Sequence, residues 1–246
     1  MDYTERFTGK AAAYDQSRPD YPAEALYCFA AQCGLAPGST VADIGAGTGM
    51  LTRLLLARGY DVAAVEPNPS MLSTLRAQLG EQQCLRIVAA SAEQTGLADA
   101  SVDAITVAQA FHWFDRTACK AEFARILKPG GKVALFWNFR DRDLPLTRTH
   151  GELMKQYRVR EEVFLANPHE VYADFFHKYE IFRFRHVQYL DEAALLALTF
   201  SRSYAPAPGD PEYAQLERAV KALFAVHQRD GTVEYCYRTA VVVGAL

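Results

Sequence analysis

Residues 41–55 have the sequence VADIGAGTGMLTRLL, which carries the clearest structural signal in the chain. Four mostly apolar residues lead into a glycine-rich turn and then into a helical pattern, the order of a strand, a cofactor loop and a helix. The glycines Gly45, Gly47 and Gly49 have the spacing G-x-G-x-G. Dinucleotide-binding loops favour G-x-G-x-x-G, and Met50 stands at the position of their last glycine. The turn therefore predicts a cofactor site of a different kind.

Two carboxylates flank this turn. Asp43 precedes the first glycine by two residues, and its charge would repel a pyrophosphate, so we expect a ligand with a positive group there. Glu66 follows the next apolar run, where a carboxylate can accept both hydroxyls of a ribose. Alone, Glu66 would more often be a solvated acid at a strand end, but its spacing of 21 residues from Gly45 favours the ribose contact. Together the two acids favour a nucleoside ligand that carries a cation.

Composition limits the classes of partner. The 246 residues are 50% hydrophobic, enough to bury a sizeable core, and the formal charge of -3 gives no basic surface for nucleic acid. A charged N-terminal stretch and the lack of a long apolar run predict a cytoplasmic protein without a membrane span. The cysteines are odd in number and scattered, and we interpret them as reduced and mostly buried, without metal or disulfide roles. They are Cys28, Cys33, Cys84, Cys119 and Cys236.

Apolar runs alternate with segments of helical period, which predicts an α/β sheet of parallel strands. A turn at LKPGG, residues 127–131, is expected to precede the fifth strand. Further strands are expected within residues 180–190 and 233–246, and helices at about 191–202 and 212–228. The first five predicted strands are Thr40–Ile44, Asp61–Glu66, Leu85–Ala89, Val102–Ala108 and Lys132–Asn138.

The chain is predicted to form one domain, residues 1–246, in three parts. Residues 1–36 would form an N-terminal cap or lid, residues 37–138 the cofactor-binding core, and residues 139–246 the inserted helices and C-terminal strands. Within the lid, Tyr14, Arg18 and Tyr21 have no evident core to join, so residues 11–22 are expected to close over a ligand.

The ordered motifs resemble those of a known family. The pattern D-x-G-x-G-x-G, the acid after the second strand, Ser-Ala-Glu after the third and LKPGG before the fifth resemble a class I S-adenosylmethionine-dependent methyltransferase. GKAAAYDQSRPDYP, AQAFHWFD and SRSYAP resemble its branch of trans-aconitate methyltransferase-like proteins. The resemblance implies a Rossmann-like, seven-stranded, mostly parallel sheet with an antiparallel last strand and helices on both faces.

The resemblance also implies the cofactor, S-adenosylmethionine, and most of its contacts. Asp43 would favour the ammonium, and Gln109 and Ala110 would lie beside the sulfonium. Tyr14 and Arg18 are either surface residues or caps of the methionyl carboxylate. The glycine loop that would lie along the methionyl group consists of Gly45, Ala46, Gly47, Thr48 and Gly49.

The adenosine half is expected at the second and third strand ends. Glu66 would hold the ribose, and Pro67 and Met71 would flank the adenine. The edge of the adenine would meet Ser91, Ala92 and Glu93, which are otherwise a turn and a helix cap.

The acceptor is predicted to be a small molecule of unknown identity, and no metal is required. His112, between two aromatic residues, is either the catalytic contact of the acceptor or a packed side chain. Arg202 and Tyr204 are interpreted as structural ties, with the acceptor pocket as the alternative, and FRDRD, residues 139–143, as a solvated loop. Three functions compete with this reading: an NAD(P)-dependent oxidoreductase, a nucleic acid or protein methyltransferase, and a non-catalytic binding protein.

Overall fold

The computed structural model describes residues 19–80, 82–159, 168–202 and 204–246. The strands in these ranges are β1 (Thr40–Ile44), β2 (Asp61–Val65), β3 (Leu85–Val88), β4 (Val102–Ala108), β5 (Leu127–Arg140), β6 (Lys178–Leu190) and β7 (Val233–Ala245). This described part of the chain forms a seven-stranded sheet in the order β3-β2-β1-β4-β5-β7-β6. Strands β1 to β5 pair in parallel, whereas β7 runs antiparallel to β5 and β6. The predicted sheet is confirmed, and its antiparallel last strand lies inside the sheet.

Helices pack on both faces of the sheet, as predicted. Helices α1 and α2 cover one face, and α4 and α6 cover the other. Helices α5, α7 and α8 pack together in a third cluster against the first half of β7. The helices are α1 (Ala23–Cys33), α2 (Met50–Leu56), α3 (Pro69–Leu79), α4 (Arg116–Ile126), α5 (Pro145–Gln156), α6 (Pro168–Phe175), α7 (Glu192–Phe200) and α8 (Tyr213–His227).

The start of β5 differs from the prediction. Leu127 pairs with Val102, and the next pair joins Lys132 to Ala104, so residues 128–131 bulge out of the ladder. Gly130 has a φ of +81° there, which suits glycine. The turn expected at LKPGG therefore exists, but it interrupts β5 instead of preceding it, and the predicted strand start at Lys132 is wrong.

Tyr21 is part of the core and not of a lid. Its side chain is 7% exposed, and its ring meets Phe136 edge to face with centroids 5.4 Å apart. The side-chain amide of Asn138 donates to the carbonyl oxygen of Asp20 at 3.2 Å, which ties this segment to β5. The expectation that Tyr21 has no core to join is wrong. Residues 11–18, with Tyr14 and Arg18, lie outside the described residues.

All five cysteines are free thiols. Cys119 and Cys236 are buried and the other three are half-buried, so the expectation that most are buried is wrong. Among the residues that the structure describes, no group of three or more His, Cys, Asp or Glu side chains is arranged to hold a metal ion. No helix in the same ranges is long and apolar enough to cross a bilayer.

Candidate active site

The glycine loop, residues 45–49, joins the carboxyl end of β1 to α2. Its glycines have φ values of +69°, +59° and +90° at Gly45, Gly47 and Gly49, a conformation that favours glycine. The amides of Gly45 and Ala46 donate to the carbonyl oxygen of Val65 at 2.8 and 3.1 Å, so the loop lies over the end of β2. A Cβ atom on Gly47 would meet no heavy atom within 4 Å. Open space therefore adjoins the backbone at Gly47.

The loop touches the segment that follows β4. A Cβ atom on Gly45 would lie 2.7 Å from Ala110 Cβ and 3.1 Å from the ring of Phe114. Real Cβ atoms do not approach so closely, so only glycine fits without movement of Ala110. The structure thus brings together the glycine loop and Ala110, as the sequence predicted.

Asp43 points beneath the loop, into the interior. Its side chain is 1% exposed, and its two oxygens accept hydrogen bonds from the hydroxyls of Thr52 at 2.6 Å and Thr106 at 2.9 Å. Burial raises the pKa of Asp43 to about 6, against the lowering effect of those hydrogen bonds. The carboxyl joins β1 to α2 and β4, a structural task that the sequence did not reveal. Its contact with an ammonium stays a prediction.

Glu66 binds the glycine loop at the end of β2. Its two oxygens accept from the amides of Gly47 at 2.9 Å and Asn68 at 2.8 Å, and the side chain is 8% exposed. Burial raises the pKa of this carboxyl, while the two backbone hydrogen bonds oppose the rise. Each carboxylate oxygen accepts up to two hydrogen bonds, so both keep capacity for a further donor.

The residues predicted around the adenine have different exposures. Pro67 is exposed and Met71 is buried, at the start of α3. Ser91 is half-buried, while Ala92 belongs to the core under α4 and α6. Glu93 accepts a hydrogen bond from the amide of Asp115 at 3.0 Å, which joins the segment after β3 to the start of α4.

His112 packs between two indoles. Its ring centroid lies 4.5 Å from that of Trp113 and 5.6 Å from that of Trp137. Because neighbouring strand residues face opposite sides of a sheet, Trp137 and Asn138 lie on opposite faces of β5. The structure therefore places His112 on the Trp137 side of β5, and its catalytic role stays a prediction.

A cavity of about 20 Å³, room for about one water molecule, lies on the other side of β5, beside the glycine loop. It lies between the start of α2, the carboxyl end of β4 and the carboxyl end of β5. Gln109, Asn138 and Arg202 are its lining residues that carry amide or guanidinium groups. The residues that line it are Pro19, Tyr21, Met50, Gln109, Asn138, Arg202 and Tyr237.

Comparisons with known proteins agree with this geometry. Residues 42–135 match the family model described as a methyltransferase domain. An uncharacterized methyltransferase of Mycobacterium tuberculosis is 39% identical over 229 residues, which cover 92% of this chain and 88% of that relative.

Solved structures show the same fold. A putative type II methyltransferase of Anaeromyxobacter dehalogenans superposes with a TM-score of 0.71 at 25% identity, covering 93% of this chain and 97% of that one. A Geobacter sulfurreducens methyltransferase in complex with S-adenosylhomocysteine has a TM-score of 0.53 at 17% identity, covering 98% of both chains.

The chain belongs to the class I S-adenosylmethionine-dependent methyltransferases. Its methyl donor is therefore S-adenosylmethionine, and the oxidoreductase alternative is wrong. The glycine loop, Glu66 and Ala110 lie together at one edge of the methyltransferase sheet, at the carboxyl ends of β1, β2 and β4, where such folds bind ligands.

Sequence reasoning missed three cavity residues of this methyltransferase: Met50, Asn138 and Tyr237. Asn138 could have been predicted from the sequence, because it ends the predicted fifth strand, and ligands of such sheets bind at the carboxyl ends of the parallel strands. Tyr237 could not have been predicted, since its position depends on β7 entering the sheet between β5 and β6.

FRDRD is not a solvated loop throughout. Arg140 donates to the hydroxyl of Tyr204 at 3.2 Å, and Asp141 is 9% exposed. The hydroxyl of Thr147 donates to the carbonyl oxygen of Asp141, which fixes the entry to α5. The prediction is wrong for Arg140 and Asp141, while Tyr204 is the structural tie that the sequence suggested.

Proposed function

We propose that this methyltransferase transfers the methyl group of S-adenosylmethionine to a small anionic molecule whose negative group binds Arg202. The observation that carries the proposal is the cavity where Arg202 meets Gln109 and Asn138, next to the glycine loop. A guanidinium stays charged at neutral pH and offers a planar fork of donors that suits a carboxylate. The resemblance to trans-aconitate methyltransferase-like proteins supports the same acceptor class, and we propose membership of that branch.

The described residues fit S-adenosylmethionine at the ends of β1 and β2. The space beside the Gly47 backbone is open, and a ligand can lie along the backbone there. Glu66 can accept the two ribose hydroxyls without releasing Gly47 or Asn68, because each oxygen uses one acceptor site on the protein. The other proposed contacts are Tyr14, Arg18, Gly45, Ala46, Thr48, Gly49, Pro67, Met71, Ser91, Ala92, Glu93, Gln109 and Ala110.

In this proposal, the negative charge of Asp43 attracts the ammonium group of S-adenosylmethionine without a direct hydrogen bond. Both its oxygens already accept hydrogen bonds from Thr52 and Thr106 beneath the loop. A buried carboxylate still attracts a nearby cation strongly, because the surrounding protein screens charge less than water does.

Two guanidinium groups give the acceptor side a positive potential. The charges of Arg140 and Arg202 both lower the pKa of buried His150, after the larger effect of burial itself. Both cations therefore lie near buried His150, and Arg202 also lines the cavity. Such a field raises the local concentration of an anionic acceptor and opposes a cationic one.

The bound cofactor supplies an electrophilic methyl group on a sulfonium. The chain's own residues bring the acceptor to it: Arg202 holds the anion and Gln109 lines the same cavity, while the amide of Asn138 is held by Asp20 and Thr239. Positioning of two reactants in a site from which water is excluded accounts for the rate. A carboxylate is ionised at neutral pH and needs no base. His112 packs against Trp137 on the face of β5 opposite the cavity, so we propose that it is a packing residue.

The test is transfer of labelled methyl from S-adenosylmethionine to a panel of small carboxylic acids, trans-aconitate among them, and to their neutral amides. We expect methylation of acids and not of amides. Arg202→Ala should lower kcat/KM by about 30-fold or more, mainly through KM, since a buried anion loses its cation. Arg202→Lys should retain part of the activity.

Arg183, exposed on β6, provides the matched control. Arg183→Ala removes the same charge and should leave kcat/KM unchanged. Methylation of the amides in preference to the acids, or equal activity of Arg202→Ala and the parent, would contradict the proposal.

The domain division belongs to the same proposal. We propose that residues 1–246 form one domain, in which residues 37–138 bind the cofactor and residues 139–246 complete the acceptor side. Pairing of β7 with β5 and of β6 with β7 in one sheet supports it. The formal charge of -3 supports a small acceptor over a nucleic acid.

A further inference from the structure

Gln109, directly after β4, has a left-handed backbone with a φ of +54°. This conformation is disfavoured for glutamine and is far easier for glycine or asparagine. Among the residues that the structure describes, Ala100 at +46° and Asp230 at +50° are the other non-glycine residues with positive φ. Both are exposed turn residues, whereas Gln109 is half-buried and lines the cavity of Arg202.

The neighbours of Gln109 fix this turn on both sides. Its amide donates to the carbonyl oxygen of Phe136 at 3.0 Å, which extends the pairing of β4 with β5. Ala110 then packs against Gly45, and the side chain of Phe111 is fully buried. None of these contacts uses the Gln109 side chain, so glycine or asparagine would make the same turn with less strain. Nothing in the turn itself therefore requires the glutamine side chain.

We propose that Gln109 is a specificity-determining residue for the acceptor: its side-chain amide hydrogen-bonds the acceptor next to the anionic group on Arg202. The inference rests on the proposed function. An amide both donates and accepts, so it complements a guanidinium that only donates. The strained backbone directs this amide into the cavity. Backbone strain is commonly found at functional sites, where it holds a side chain in its working position.

The experiment compares Gln109→Gly, Gln109→Asn and Gln109→Ala, with Ala100→Gly as the matched control for relief of strain far from the cavity. Without ligand, the Gly and Asn variants and the control should melt about 1–4 °C higher than the parent, and Gln109→Ala close to it. Affinity for S-adenosylhomocysteine should stay within about threefold in every variant, because the proposed cofactor contact of Gln109 is made by its backbone and the turn is preserved.

Methyl transfer to trans-aconitate and the other acids of the panel should separate the variants. Gln109→Gly and Gln109→Ala should lose about tenfold or more in kcat/KM, the size of one hydrogen bond to a charged ligand. Gln109→Asn keeps the amide and should recover part of the loss, and Ala100→Gly should match the parent. Opposite changes in melting temperature and activity for Gln109→Gly are the signature of the proposal.

Several results would overturn it. Parental activity in Gln109→Gly would mean that the side chain does not serve the acceptor, and a lower melting temperature would mean that the position is not strained. An equal loss of S-adenosylhomocysteine affinity would assign the amide to the cofactor. A parent that binds S-adenosylhomocysteine but methylates no acid of the panel contradicts the proposed acceptor class, and this inference falls with it.

Discussion

At the scale of single residues, the buried carboxyl of Asp43 makes stability depend on pH. Its pKa is raised from 3.8 to about 6 in the folded state, so the native protein holds this proton more tightly than the unfolded chain. The free energy of unfolding should therefore fall as pH rises from about 4 to 6, by about 3 kcal/mol. Asp43→Asn keeps the side-chain shape and should abolish this contribution.

Urea unfolding at a series of pH values between 4 and 8 measures the effect. The asparagine can accept from one threonine hydroxyl and donate to the other, so we expect equal or greater stability above pH 6. Asp61→Asn, at an exposed position of β2, is the control and should follow the parent. A parent-like pH profile in Asp43→Asn would show that another group is responsible.

At the scale of secondary structure elements, His150 joins three elements in the third cluster. Its ring nitrogens lie 2.8 Å from the hydroxyl of Tyr235 on β7 and 2.9 Å from that of Thr199 on α7. Thr199 donates its single proton to the carbonyl oxygen of Leu195, so His150 Nε2 donates to Thr199 and Nδ1 accepts from Tyr235. The neutral ring thus holds α5 against α7 and β7.

This arrangement predicts loss of stability in acid. Burial, with a smaller effect of two arginines, lowers the pKa of His150 to about 3. The unfolded chain takes up the proton below about pH 6.5 and the native state does not, so stability falls as pH drops from about 6.5 to 3. His150→Gln, which can donate to Thr199 and accept from Tyr235, should flatten that fall.

His150→Ala should lower the free energy of unfolding by about 2–4 kcal/mol at pH 7, because it leaves a cavity and two unpaired hydroxyls. Urea unfolding measures both variants. The slopes of His150 and Asp43 oppose each other between pH 4 and 6, so Asp43→Asn should make the acid loss steeper. An acid profile unchanged by His150→Gln would contradict the account.

The strand bounds show how much of the secondary structure could be predicted from the sequence. β1 and β4 have the predicted bounds, because both are short apolar runs between clear turn signals. The start of β5 was missed because it depends on Leu127 pairing with Val102 across a bulge. In the site, the glycine loop and Ala110 were found from their motifs. The inward direction of the Asp43 side chain was not predicted, since it is set by hydrogen bonds from hydroxyls on α2 and β4.

At the scale of the whole molecule, β7 connects the two halves of the site. By running antiparallel between β5 and β6, it carries Tyr235 into the cluster of α5, α7 and α8 and Tyr237 to the cavity beside Arg202. The segment after α7 thereby meets the tip of β4. No local sequence pattern predicts that these two segments lie together, because their positions depend on strand pairing between residues about 100 positions apart.

A crystal structure of the protein with S-adenosylhomocysteine would test whether the cofactor binds at the glycine loop and Glu66. We expect the ribose hydroxyls within hydrogen-bond distance of the Glu66 oxygens and the amino acid part along residues 45–49. The sulfur should lie towards the cavity lined by Gln109 and Arg202. A ligand bound elsewhere on the protein, or one bound here without contact to Glu66, would contradict the account.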